Sequence, residues 1–145
     1  PLQLAMFTAA IADDGDIYQP HLVHRRGGRD PVVRMGWSTD TLSAVQGGMY
    51  DVVEARTGTG KRARVDGISM AGKTGTAEYG PRSARKKHAW MIAYAPFEEP
   101  RYAIAVVVED AMSGGRNAAP RIRFIMNGIL ETEAADRNRG REDRS

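Results

Sequence analysis

The chain contains no cysteine, which excludes disulfides and thiolate metal sites. It also lacks any apolar run approaching the roughly 18 residues that cross a bilayer, and no signal peptide is visible. Charge of one sign is missing too: 21 basic residues are interleaved with 18 acidic ones, leaving a net +3. So small an excess gives no basis for nucleic-acid binding. Three histidines, His21, His24 and His88, are not spaced with carboxylates as metal ligands would be, so neither metal nor cofactor is expected. No internal repeat appears. An initiator Met is absent as well, and Pro1-Leu2-Gln3-Leu4-Ala5 reads as a helix already under way, the start of a fragment.

What remains is 145 residues with an apolar fraction of 41%, enough for one domain or part of one. Residues 1 to 14 have a helical period, with Leu4, Ala5, Thr8, Ile11 and Ala12 on one face, and Gly15 ends the helix. Leu22-Val23 and Val32-Val33 read as short extended segments around a turn over Arg25–Pro31. Ser38 or Thr39 caps a second helix to about Ala55, its apolar face Leu42, Val45, Met49, Val52 and Val53. Gly47-Gly48 within it costs about 1 kcal/mol per glycine, which points to close packing against a neighbouring backbone. After the glycine-rich loop Thr57-Gly58-Thr59-Gly60-Lys61, strands are expected over 68–79, 89–95 and 102–109. Glu98-Glu99-Pro100 joins the last two as an antiparallel hairpin. Apolar residues on both faces of 104–108 suit a central or doubly covered strand. Ser113–Arg116 reads as a loop. Pro120 opens a helix carrying Ile122, Ile125, Met126, Ile129 and Leu130, and a polar, disordered tail is expected over 134–145.

The middle of the chain admits several chemistries. Gly67-Ile68-Ser69-Met70-Ala71-Gly72-Lys73-Thr74 fits a phosphate loop, with Val106–Asp110 as a metal-binding strand. That mechanism needs an apolar strand before the loop and a helix opening at Lys73-Thr74. Instead Lys61–Asp66 is charged, and Gly75–Pro81 would make a poor helix. Gly67-Ile68-Ser69-Met70-Ala71 nearly matches a nucleophile elbow, but no histidine follows the acid that such a triad needs. Ser83-Ala84-Arg85-Lys86 spells S-x-x-K, yet stands in a basic turn between two strands.

Gly72-Lys73-Thr74-Gly75-Thr76-Ala77-Glu78 is the stretch that organises the rest. With His88-Ala89-Trp90-Met91-Ile92-Ala93-Tyr94-Ala95-Pro96, Pro1–Ala5 and the Ala118-Ala119-Pro120 helix start, it resembles the last part of a class B penicillin-binding protein's transpeptidase domain, elongation type. The resemblance covers roughly residues 1 to 131, so 1–133 is expected to be a partial transpeptidase domain.

The resemblance implies an α+β fold, an antiparallel sheet covered by helices. It implies a peptidoglycan D,D-transpeptidase acting through a seryl acyl-enzyme. Thr74 and Thr76 would hold the terminal carboxylate of a D-Ala-D-Ala stem peptide or a β-lactam. Lys73 would supply charge and help relay a proton, and the Thr76 N–H would be one oxyanion donor. Gly75, without a Cβ, suits close approach of a peptide lying along the strand edge. The nucleophilic Ser with its Lys, and the S-x-N motif, have no counterpart in this chain. Also implied are a glycosyltransferase partner and a place on the outer face of the bacterial inner membrane, through an anchor that this fragment lacks. A class D-type β-lactamase or β-lactam sensor shares the Lys-Thr-Gly strand, and a module binding cell-wall peptide without chemistry stays open.

Overall fold

The computed structural model of the chain describes residues 1–22 and 30–142. Its elements run in the order α1 (Leu2–Ala12), β1 (Asp16–Ile17), β2 (Val33–Arg34), α2 (Thr39–Glu54), β3 (Ala71–Tyr79), β4 (Lys86–Ala95), β5 (Tyr102–Val108) and α3 (Ala119–Glu142). The fold is α+β, with β3, β4 and β5 as one antiparallel sheet in that order.

Helix α1 ends where glycine permits a left-handed turn: Gly15 has φ +95° and its N–H donates to the Ala10 carbonyl at 2.7 Å. The helix buries Thr8, Ala10 and Ile11, and the Thr8 hydroxyl is satisfied by the Leu4 carbonyl at 2.6 Å. β1 and β2 then pair, Ile17 opposite Val33. Val23 of the expected Leu22-Val23 segment and most of the turn over Arg25–Pro31 lie outside the described residues.

Ser38 caps α2, its hydroxyl accepting the Thr41 N–H at 3.2 Å. Leu42, Met49 and Val53 are buried, whereas Val45 stays exposed. The reading of Gly47-Gly48 needs correction. A Cβ at either position would meet nothing within 4 Å, so no neighbouring backbone requires these glycines.

β4 is the middle strand, and its period-2 alternation divides the interior. Met91, Ala93 and Ala95 join Val53, Met70, Ile122 and Met126 in the core beneath α3, while Tyr94 packs with Ile11, Met49 and Ala71 under α1 and α2. β5 is the outer strand rather than a central one, but it is covered on both sides. Its Tyr102, Ile104, Val106 and Val108 face the α3 core, and α1 packs against it as well.

Ser113–Arg116 is not an open loop: Gly114–Ala118 forms a π-type turn that runs straight into α3. The expectation of a disordered tail over 134–145 also fails in part, because α3 continues to Glu142. Alanine, glutamate and arginine favour helix. Glu133–Arg137 at 3.7 Å and an Asp136–Arg139 pair then support its exposed turns.

Lys73 and Thr74 lie inside β3, with no helix opening at them. The phosphate-loop geometry is therefore absent.

Candidate functional site

Strand β3 places the four residues singled out by sequence side by side. Lys73 pairs with Ile92, Thr74 with Met91, Gly75 with Trp90 and Thr76 with Ala89. Side chains alternate along a strand, so Thr74 and Thr76 share the face turned toward α3, and Lys73 shares the opposite face with Trp90. The two hydroxyls are brought together; the amine is not on their side. Among the described residues no strand pairs with the other edge of β3, which stays available to an added strand.

Lys73 and Thr76 are exposed, Thr74 and Gly75 half-buried. The Lys73 amine donates to the Thr74 carbonyl at 2.7 Å. The Thr74 hydroxyl lies 2.8 Å from the Thr59 hydroxyl, which comes from the loop between α2 and β3. On its own side Gly75 is crowded only by Trp90, whose Cβ would lie 3.4 Å from an added methyl.

The other side of Gly75 is closed by the π turn. A Cβ on Gly114 would stand 2.3 Å from the Trp90 carbonyl oxygen and 2.7 Å from that of Gly75. Gly115 packs equally tightly on Thr59, and Gly58 on the end of α2, with 2.2 Å to the Thr59 oxygen and 2.4 Å to the Val52 oxygen. These glycines let loop, turn and strand lock together backbone to backbone.

Thr59 and the Gly114-Gly115 turn were not identified as site residues from sequence. The only signal was the density of glycine in Thr57–Gly60 and Gly114-Gly115.

A second polar cluster lies at the far end of the same strand. The Tyr79 ring stacks on His88 at 4.2 Å and its hydroxyl donates to the Asp110 carboxylate. The Asp110 N–H reaches His88 Nδ1 at 3.3 Å, and Lys86 stands 3.7 Å from the Asp110 carboxylate. The bond to Asp110 pushes the Tyr79 phenol up to about 12, and the same bond holds Asp110 below the usual carboxylate range. Beside them Glu78 is ion-paired with Lys87 at 3.2 Å and Arg85 at 2.7 Å, which lower its pKa in that order.

The S-x-x-K look-alike dissolves here. Ser83 lies in the short turn Arg82–Ala84, and Arg85 and Lys86 are engaged by Glu78 and Asp110. Among the described residues no three His, Asp or Glu are grouped to hold a metal ion. None of their helices is long and apolar enough to cross a membrane.

The model of the penicillin binding protein transpeptidase domain matches residues 1–129. The chain is 34% identical to the peptidoglycan D,D-transpeptidase MrdA of Haemophilus influenzae, over 90% of this chain and 23% of that protein. It is 37% identical to the peptidoglycan D,D-transpeptidase PbpA of Mycolicibacterium smegmatis, over 83% of this chain and 27% of that one. The crystal structure of Pseudomonas aeruginosa PBP2 in complex with WCK 5153 superposes with a TM-score of 0.77 at 31% identity, covering 90% of this chain and 30% of the other. The chain thus spans about a quarter of the length of these two curated relatives.

Proposed function

The chain belongs to the penicillin-binding protein transpeptidase domain family, and from that premise we propose that it forms one wall of a peptidoglycan D,D-transpeptidase active site, elongation type. The observation that carries this is the edge of β3, where Thr74 and Thr76 present two hydroxyls on one face and, among the described residues, no strand occupies the edge. A D-Ala-D-Ala stem peptide adds along that edge as an antiparallel strand. Thr74 and Thr76 donate to its terminal carboxylate, as they do to that of a β-lactam. Lys73 adds positive charge from the opposite face and helps relay the proton.

The reaction is acyl transfer. A serine oxygen supplied outside this chain's motifs attacks the penultimate D-Ala carbonyl, and its proton passes to the departing D-Ala amine. The Thr76 N–H stabilises the oxyanion that forms. An amine of a second stem peptide then attacks the ester, releasing the serine and forming the cross-link. The enzyme works on the outer face of the inner membrane, beside a glycosyltransferase that supplies the glycan strands.

Exposure of the full-length product of this gene to a fluorescent penicillin tests the reading. A labelled band that survives denaturation, and is suppressed when unlabelled penicillin is added first, is the expected result. No labelling under any condition sinks it. The 145-residue chain alone is expected to stay unlabelled, and an adduct mapped to Ser83 would overturn its assignment as a surface turn residue.

A further inference from the structure

Beside the hydroxyl pair lies an open cavity of about 320 Å3, walled by the Thr57–Arg62 segment and the Ser113–Arg116 turn. Lys61, Arg62 and Arg116 line it, with the hydroxyl-bearing residues Thr57, Thr59 and Ser113, and no carboxylate does. Among the described residues the Lys61 amine reaches only the Arg56 carbonyl, at 3.4 Å. No salt bridge among the described residues engages Arg62 or Arg116, whereas Arg64, Arg85 and Arg101 each sit on a glutamate. Three like charges in one concavity repel each other, and an anion seated between them reverses that term.

The walls are fixed rather than adaptable. Gly58 and Gly115 bring backbone against backbone so closely that no side chain fits between. Thr59 belongs to two sites at once: its hydroxyl bonds to Thr74 while its residue lines the cavity. The cavity therefore begins one hydrogen bond away from the threonine that faces the substrate carboxylate. Guanidinium groups suit a planar oxyanion, which they bind in a two-pronged fork.

We propose that this cavity is an oxyanion subsite continuous with the β3 edge, and that it takes a second carboxylate, on a side chain of the same peptide. The inference rests on the reading of β3 given above. Inorganic phosphate shares the chemistry and is the rival source of the anion.

Calorimetry on the full-length protein separates the cases. Two D-Ala-D-Ala peptides are compared, one with an additional free side-chain carboxylate and one with that group amidated, alongside inorganic phosphate. The free carboxylate should tighten binding about tenfold, the worth of one charge-assisted bond. An Arg62→Gln/Arg116→Gln double variant, its melting temperature unchanged, should bind both peptides alike. Equal binding of the two peptides by the wild type, while penicillin still acylates it, overturns the subsite alone. Phosphate binding lost in the double variant, with the peptides equal in the wild type, assigns the cavity to phosphate and overturns the peptide assignment. Absence of both peptide binding and acylation sinks the reading of the strand, and the subsite with it.

Discussion

The Thr59 and Thr74 hydroxyls are 2.8 Å apart, one on a glycine-rich loop and the other on strand β3. A hydroxyl has one proton to give. For Thr74 to donate to a carboxylate, it must accept the proton of Thr59, so Thr59 orients the donor and polarises it. Thr74→Val removes a charge-assisted bond worth about 1.5–3 kcal/mol, which slows acylation by penicillin roughly ten- to a hundredfold. Thr59→Val removes only the neutral bond behind it, worth about 0.5–1.5 kcal/mol, and slows acylation roughly two- to tenfold. Thr59→Ser restores the rate. Second-order acylation of the full-length protein by a fluorescent penicillin measures all three. A Thr59→Val rate equal to wild type, or one that serine does not rescue, removes Thr59 from the site.

Glycines at two places make opposite predictions. Gly114→Ala puts a methyl 2.3 Å from the Trp90 oxygen and 2.9 Å from the Gly75 nitrogen, both backbone atoms that cannot swing aside. Overpacking of this kind costs about 1–3 kcal/mol, and here it also displaces the strand at Gly75. Gly48→Ala meets nothing within 4 Å on α2, and should stabilise by up to about 1 kcal/mol. Denaturant midpoints of the two variants settle the sign. A tolerated Gly114→Ala would mean that the π turn is looser than its contacts imply.

The sheet was legible because its information is local. Glu98-Glu99-Pro100 leaves no room for a crossover, so the apolar segments on either side of it pair as a hairpin. The Ser38 cap and the Gly15 stop were legible for the same reason. What glycine does in a helix or turn was not, because that depends on which backbone arrives from elsewhere. Gly47-Gly48 reads as packed and is open, whereas Gly114 and Gly115 are closed by partners distant in sequence. Thr59 had no local mark either, since its partner lies across the fold. The far end of α3 misled through composition: its polarity suggested disorder, while helix propensity and ion pairs extend the helix to Glu142.

Tyr94 is buried to 1% exposure, and its hydroxyl has no hydrogen-bond partner among the described residues. Burial alone pushes its phenol up to about 12. An unsatisfied buried hydroxyl costs about 1–3 kcal/mol, so Tyr94→Phe should leave the protein as stable as wild type or more stable by about 1 kcal/mol. Urea denaturation at neutral pH is the measurement. A loss of stability would show that the hydroxyl bonds to an ordered water or to a further segment.

Tyr79 and Asp110 predict a pH dependence at both ends of the scale. The Tyr79 phenol ionises at about 12 in the folded protein against 10.0 for the free group, first because its hydroxyl donates to Asp110 and then through burial. The unfolded chain therefore releases this proton earlier, and stability falls as pH rises from about 10 to about 12. Asp110 is shifted the other way, below 3.8, led by the same hydrogen bond. Its contribution is present above its unfolded pKa and is lost as pH falls through the lower folded value. One substitution tests both limbs, because Tyr79→Phe keeps the ring stacked on His88 and deletes the shared bond. Phenolate absorbance of wild type minus Tyr79→Phe isolates this tyrosine from Tyr94, and the difference should titrate near 12 rather than 10. Melting temperatures across the scale should fall less steeply in the variant at both extremes. A difference spectrum centred near 10, or pH profiles that superimpose, would show that Tyr79 and Asp110 are not joined in solution.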